Sequence, residues 1–180
     1  MNNKVYVIAD CSASFIEDGK AAIQRYLLTT VMSAVMKLPY DEEDFFYLVW
    51  NDDIAEIDPI SCHTDCDLRI SFGGKASMHV LYNAVKQIGE NGRILLLSDG
   101  CYDSGDMKEI TRIKRLAEKL NTIIYVVAVG ADADEYGLSE IATVTKKVFN
   151  ASDILLAVRD LYLRSFLPNT SGPLKKRRIW

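Results

Sequence analysis

The chain has 180 residues, 49% hydrophobic and 26% charged, a balance that suits one globular domain with a substantial core and excludes disorder. Its formal net charge is −4, but Lys175, Lys176, Arg177 and Arg178 crowd into the last eight residues; with those four charges set aside the body stands at −8, which argues against a nucleic-acid-binding core. No apolar run approaches the ~20 residues that a membrane-spanning helix needs, and no secretory signal is expected from the opening Met-Asn-Asn-Lys.

Strand-like and helix-like segments then alternate. Lys4–Ala9 is an apolar run of buried-strand character that ends in Asp10-Cys11-Ser12-Ala13-Ser14. Gly19–Leu38 has apolar positions three and four apart and is expected as a helix stopped by Pro39. Phe45–Trp50 is a second strand, and after the turn Asn51-Asp52-Asp53 the alternating Ile54–Ile57 suits a hairpin partner on the sheet edge. Helix Met78–Ile88, closed by Gly89, precedes the strand Arg93–Ser98, and helix Met107–Leu120 precedes the strand Thr122–Val129. A short helix at Leu138–Thr143, a short strand at Lys147–Phe149 and a helix at Ser152–Phe166, with Ser152 as N-cap, complete the domain. Leu167–Trp180 has the character of a tail, and there is no internal repeat.

This alternation implies an α/β architecture of Rossmann-like type. It would be an open, mostly parallel twisted sheet with helices on both faces, right-handed crossovers and one antiparallel edge strand. Ligands of such sheets bind outside the carboxyl ends of the strands. Asp10 and Asp99 lie at two of those ends, and the Asn51–Asp53 turn should face the same edge. One carboxylate and two hydroxyls at alternating positions, Asp10, Ser12 and Ser14, can converge on a hard cation such as Mg²⁺, which takes oxygen ligands in near-octahedral geometry.

Together these pieces resemble the von Willebrand factor A (VWA) domains, whose metal-ion-dependent adhesion site (MIDAS) is built from Asp-x-Ser-x-Ser, a Thr on a later loop and an Asp after a later strand. Asp10-Cys11-Ser12-Ala13-Ser14 matches the first part and Ser98-Asp99-Gly100 the third. Gly73-Gly74-Lys75-Ala76-Ser77 brings Ser77 to the place of the threonine. The resemblance covers about residues 4 to 166, so the VWA domain is expected over 1–166, with 167–180 a basic, flexible tail. It implies that Ser12, Ser14 and Ser77 ligate the metal through their hydroxyls while Asp10 and Asp99 act through waters or directly. The ion implied is Mg²⁺, with Mn²⁺ or Ca²⁺ as substitutes. Neutral ligands would leave the cation's charge free to capture a Glu or Asp carboxylate of another protein. By the same resemblance the chain is a non-enzymatic adaptor or scaffold, similar to the small stand-alone bacterial-type members.

Other readings attach to the same residues. Short polar residues after a strand also make turns and cap helices, which applies to Asp10–Ser14 and to Ser77; Gly73 and Gly74 can serve loop conformation alone. Lys75 is expected in solvent, and Asp103 and Asp106 in a turn. Cys62-His63-Thr64-Asp65-Cys66 offers at most three zinc ligands where a structural site needs four. His79 is expected packed or solvent-facing, and the Cys11 thiol directed into the sheet. The four cysteines, Cys11, Cys62, Cys66 and Cys101, fit reduced thiols of a cytoplasmic protein. The rival function is a metal-dependent phosphatase of the haloacid dehalogenase kind, which needs an acid two residues after the first Asp; Ser12 occupies that position and cannot serve as one. A domain with a degenerate site, binding through its surface alone, is a third reading, prompted by Ser77 and Lys75.

Overall fold

A computed structural model describes residues 4–37, 44–57, 68–144 and 148–163. The chain order is β1 (Val5–Asp10), α1 (Lys20–Lys37), β2 (Phe45–Trp50), β3 (Ile54–Ile57), α2 (Met78–Ile88), β4 (Arg93–Ser98), α3 (Met107–Lys119), β5 (Ile123–Ala128), α4 (Glu135–Ile141), β6 (Val148–Asn150) and α5 (Ile154–Leu163). The strands form one sheet in the order β3-β2-β1-β4-β5-β6. Every neighbouring pair is parallel except β2 with β3, whose antiparallel register sets Trp50 opposite Ile54. The fold class is therefore as the sequence implies, including the antiparallel edge.

Alternation of side chains sorts the apolar residues into two cores, one on each face. Val5, Val7, Ala9, Leu95, Leu97, Tyr125 and Val127 pack with Leu27, Leu28 and Val31 of α1 and with Ala157 and Leu161 of α5. Ile8, Ile94, Leu96, Ile124 and Val126 face the other way, toward α2, α3 and α4. All six residues of β4 are buried, as a central parallel strand covered on both faces requires.

Several boundaries differ from expectation, those of β1, α1, α3 and β5 by one residue at one or both ends and three others as follows. The fourth helix spans Glu135–Ile141 rather than Leu138–Thr143, because Asp134 caps it by accepting from the backbone N–H groups of Tyr136 and Gly137. Ser152 is not an N-cap: it lies inside a 3-10 turn, Ala151–Asp153, that leads into α5. The last strand covers Val148–Asn150. Pro39, the Cys62–Cys66 cluster and the 167–180 tail lie outside the described residues.

The chain steps from β1 to β2 on one side and later crosses to β4 on the other, so β1 and β4 flank the switch point of the sheet. Asp10 ends β1, and Asp99 directly follows β4. The topology thus sets two carboxylates side by side at the edge where open α/β sheets bind ligands.

Candidate metal centre

The loop after β1 turns at once. Asp10 is fully buried; its Oδ1 accepts from the Ser12 N–H at 3.0 Å, and its Oδ2 accepts from the Ser98 hydroxyl at 2.6 Å. The first of these is a side-chain-to-backbone turn, so Asp10 shapes the loop as well as charging it. A short 3-10 turn, Ala13–Ile16, follows and brings the Ser12 and Ser14 hydroxyls within 3.1 Å of each other.

A second loop, Gly73–Ser77, is stitched to this one through the backbone. Gly73 N–H donates to Cys11 O at 2.9 Å, and Ala13 N–H donates to Gly74 O at 3.0 Å. Ser77 is tied to the end of β2: its N–H donates to Asn51 O, and its carbonyl accepts from the Trp50 indole at 2.9 Å. The Ser77 hydroxyl accepts from the Val80 N–H at 3.4 Å and caps α2, the second of the two roles open to it. Gly74 has a φ of +71°, and a Cβ there would fall 2.0 Å from Asp52 Oδ2, so Gly74 serves the close approach of the Asp52 side chain as well as the loop conformation, whereas a Cβ at Gly73 would meet nothing.

These loops enclose an open depression of about 270 Å³ whose lining includes Ser12, Ser14, Gly74, Cys101, Asp103 and Asp106. Lys75 stands at its mouth, where Nζ lies 2.6 Å from Asp103 Oδ2. Lys75 is exposed, as expected, and its ion pair with Asp103 links the Gly73–Ser77 loop to the loop after β4. Asp103 and Asp106 form a reciprocal cap on the 3-10 turn after β4, so they are turn-forming and also rim the depression. His79 is exposed and meets Asn83, and Cys11 is buried with its thiol toward Ala9 O.

Asp99 is equally buried but differently partnered. Its Oδ1 accepts from the Cys101 N–H at 3.0 Å; its Oδ2 holds the ammonium of Lys20 at 2.9 Å. Lys20 is itself buried and reaches Asp132 at 2.8 Å with the same nitrogen. Behind it on α1, Gln24 Nε2 donates to Asp10 O and Leu97 O, fastening the helix to the ends of β1 and β4.

The electrostatics follow from this burial. Desolvation pushes the Asp10 carboxyl from 3.8 up to about 6; hydrogen bonds from Ser98 and Ser12 oppose the rise, and the neighbouring Asp99 charge adds to it. Burial also raises the Cys11 thiol to about 12 and the Cys101 thiol to about 11, each helped by a nearby aspartate, which leaves both poor nucleophiles. Burial opposes the Lys20 charge, but the bonds to Asp132 and Asp99 outweigh it and hold the ammonium protonated.

The donors present suit a hard cation. Two hydroxyls converge on an open depression beside a buried carboxylate whose hydrogen-bond donors are a neutral N–H and a neutral O–H. No cluster of three His, Cys, Asp or Glu side chains poised for a metal exists among the described residues, so any ion here would rely on serine oxygens. Lys20, Gln24 and Ser98 escape the sequence reading. The first two had a signal: Lys20, Gln24, Leu27 and Val31 fall at helical spacing on the buried stripe of α1, where a charge must find a partner.

An open sheet with β1 central and Asp-x-Ser-x-Ser at its carboxyl end is a VWA-like fold, and solved structures similar to this chain agree. Proximal thread matrix protein 1 of the mussel byssus is 13% identical with a TM-score of 0.57, over 90% of this chain and 45% of that one. Another structure of that protein, with zinc in its MIDAS motif, is 12% identical with a TM-score of 0.54, over 90% and 45%. Manganese-loaded TRAP protein of Plasmodium vivax is 10% identical with a TM-score of 0.60, over 89% of this chain and 74% of that one. The chain thus spans less than half of the byssus protein it matches. At these identities the likeness is one of fold. No family model matches the sequence, and no curated protein sequence does either.

Proposed function

We propose that this chain is a metal-dependent protein-interaction module that acts without catalysis. A divalent cation, Mg²⁺ by the hardness of the oxygens on offer, would be held by Ser12, Ser14 and Ser77, with Asp10 and Asp99 steadying its waters or binding it directly. The ion supplies a positive centre for an acidic side chain of a partner protein, and the chain's own residues supply the rest. Asp10 compensates charge from below, the Ser12–Ser14 turn orients two oxygens, and the Gly73–Ser77 loop delivers the third.

The observation that carries this reading is the meeting of the Ser12 and Ser14 hydroxyls, 3.1 Å apart, in an open depression beside the buried Asp10 carboxylate. Hydrolysis fits less well. The residue two positions after Asp10 is Ser12, whose hydroxyl is no general acid near neutral pH. Asp103 and Asp106, the acids of the rim, are engaged in their turn and by Lys75.

Affinity purification with the tagged chain in MgCl₂ or in EDTA tests the proposal. A partner is expected in Mg²⁺, lost in EDTA and lost with Asp10→Asn, a variant that keeps the size of the side chain. A partner retained equally under all three conditions would instead support surface binding, a reading favoured by the engagement of Asp99 with Lys20.

A further inference from the structure

We propose that Lys20 sets the affinity of this site for its cation: its ammonium holds Asp99 in place of a metal ion and gives way to one by falling back on Asp132. The inference rests on the metal-site reading above and deepens it.

The two anchors of Lys20 are unequal. Nζ lies 2.9 Å from Asp99 Oδ2 and 2.8 Å from Asp132 Oδ2, but the Asp99 side chain is 1% exposed and that of Asp132 is 54% exposed. One anchor belongs to the motif after β4. The other sits outside it, on the segment between β5 and α4. The Lys20 side chain is only 4% exposed, so its charge acts where water screens weakly.

Each Asp99 oxygen already has a donor, Cys101 N–H on Oδ1 and the ammonium on Oδ2. A buried ammonium on a carboxylate neutralises the charge that would draw a divalent ion, and two positive charges at one carboxylate repel each other. Competition between them follows. What makes the ammonium displaceable is Asp132, which leaves Lys20 paired when Asp99 turns to another cation; an ammonium stranded in the interior would be costly.

The competing view treats Lys20 as a staple between α1, the loop after β4 and the loop after β5. A staple affects stability alone. Competition instead gives two substitutions opposite effects on metal affinity. Lys20→Met removes the rival charge and should tighten binding. Asp132→Asn removes the fallback and should weaken it. Lys20→Arg keeps the charge and should stay close to the unaltered protein.

The test is calorimetric titration of MnCl₂ into the full chain and these three variants, with thermal melts in EDTA and across the same Mn²⁺ series. We expect Lys20→Met to bind at least tenfold more tightly than the unaltered chain and Asp132→Asn several-fold more weakly. If Lys20→Met melts too low in EDTA for titration, the rise of its Tm with Mn²⁺ gives the same comparison and should exceed that of the unaltered chain. Binding by the unaltered chain with Lys20→Met within twofold of it, or Asp132→Asn tighter, overturns the competition and leaves the metal site standing. Absence of Mn²⁺ binding in every protein overturns both.

Discussion

At the scale of single residues, Ser98 is the junction on which the site depends. Its hydroxyl donates to Asp10 Oδ2 and accepts from the Tyr102 hydroxyl at 2.9 Å and from the Gly100 N–H at 3.2 Å, so its one donor and two acceptor positions are all used. Removing it leaves a buried carboxylate short of a donor. Ser98→Ala should therefore destabilise the chain by about 2 kcal/mol in EDTA, within the range for a hydrogen bond to a charged group. Tyr102→Phe, which deletes only a neutral donor to Ser98, should cost about 1 kcal/mol. Urea unfolding measures both, and equal costs would show that the bond to Asp10 carries no special weight. The two residues differ in legibility. Ser98 stands inside the Ser-Asp-Gly motif and was read there only as its prefix, because a strand residue's partner 88 positions earlier leaves no local trace.

At the scale of elements, the loops matter more than the strands that carry them. Gly100 has a φ of +76°, and a Cβ there would lie 2.8 Å from Asp134 O and 2.9 Å from Leu138 Cγ, so the turn after β4 closes directly onto the start of α4. Gly100→Ala should cost about 2 kcal/mol, from left-handed backbone and overpacking together. A change under half of that in urea unfolding would show that α4 yields easily. The strands were legible because central parallel strands are continuous apolar runs; Phe45–Trp50 and Arg93–Ser98 were placed to the residue. The start of α4 was not, since Asp134 caps from four residues before the expected first helical position, Leu138. The role of α1 in the site was also missed. The apolar spacing of Gly19–Leu38 predicts only a helix, and the partners of Lys20 and Gln24, at the ends of β1 and β4, are set by topology rather than by neighbours in sequence.

At the scale of the molecule, the sheet order brings Asp10 and Asp99 to one edge, where Ser12 and Ser14 line an open depression and the Gly73–Ser77 loop is stitched alongside. Among the described residues no helix is long and apolar enough to cross a membrane. An ion that binds the folded chain and not the unfolded one stabilises it by mass action, about 2.7 kcal/mol at a hundredfold excess over Kd. For a chain of this size that corresponds to a rise in Tm of about 5–10 °C. Melts in EDTA and in saturating Mn²⁺ should differ by that much, and no such difference should appear for Asp10→Asn.

Anomalous diffraction from crystals grown with MnCl₂ would locate a manganese ion directly. One peak per chain is expected, within about 2.3 Å of the Ser12 and Ser14 hydroxyl oxygens, as for a small hard cation. Strong anomalous density elsewhere on the molecule, with none between those two serines, would contradict a cation site at this rim.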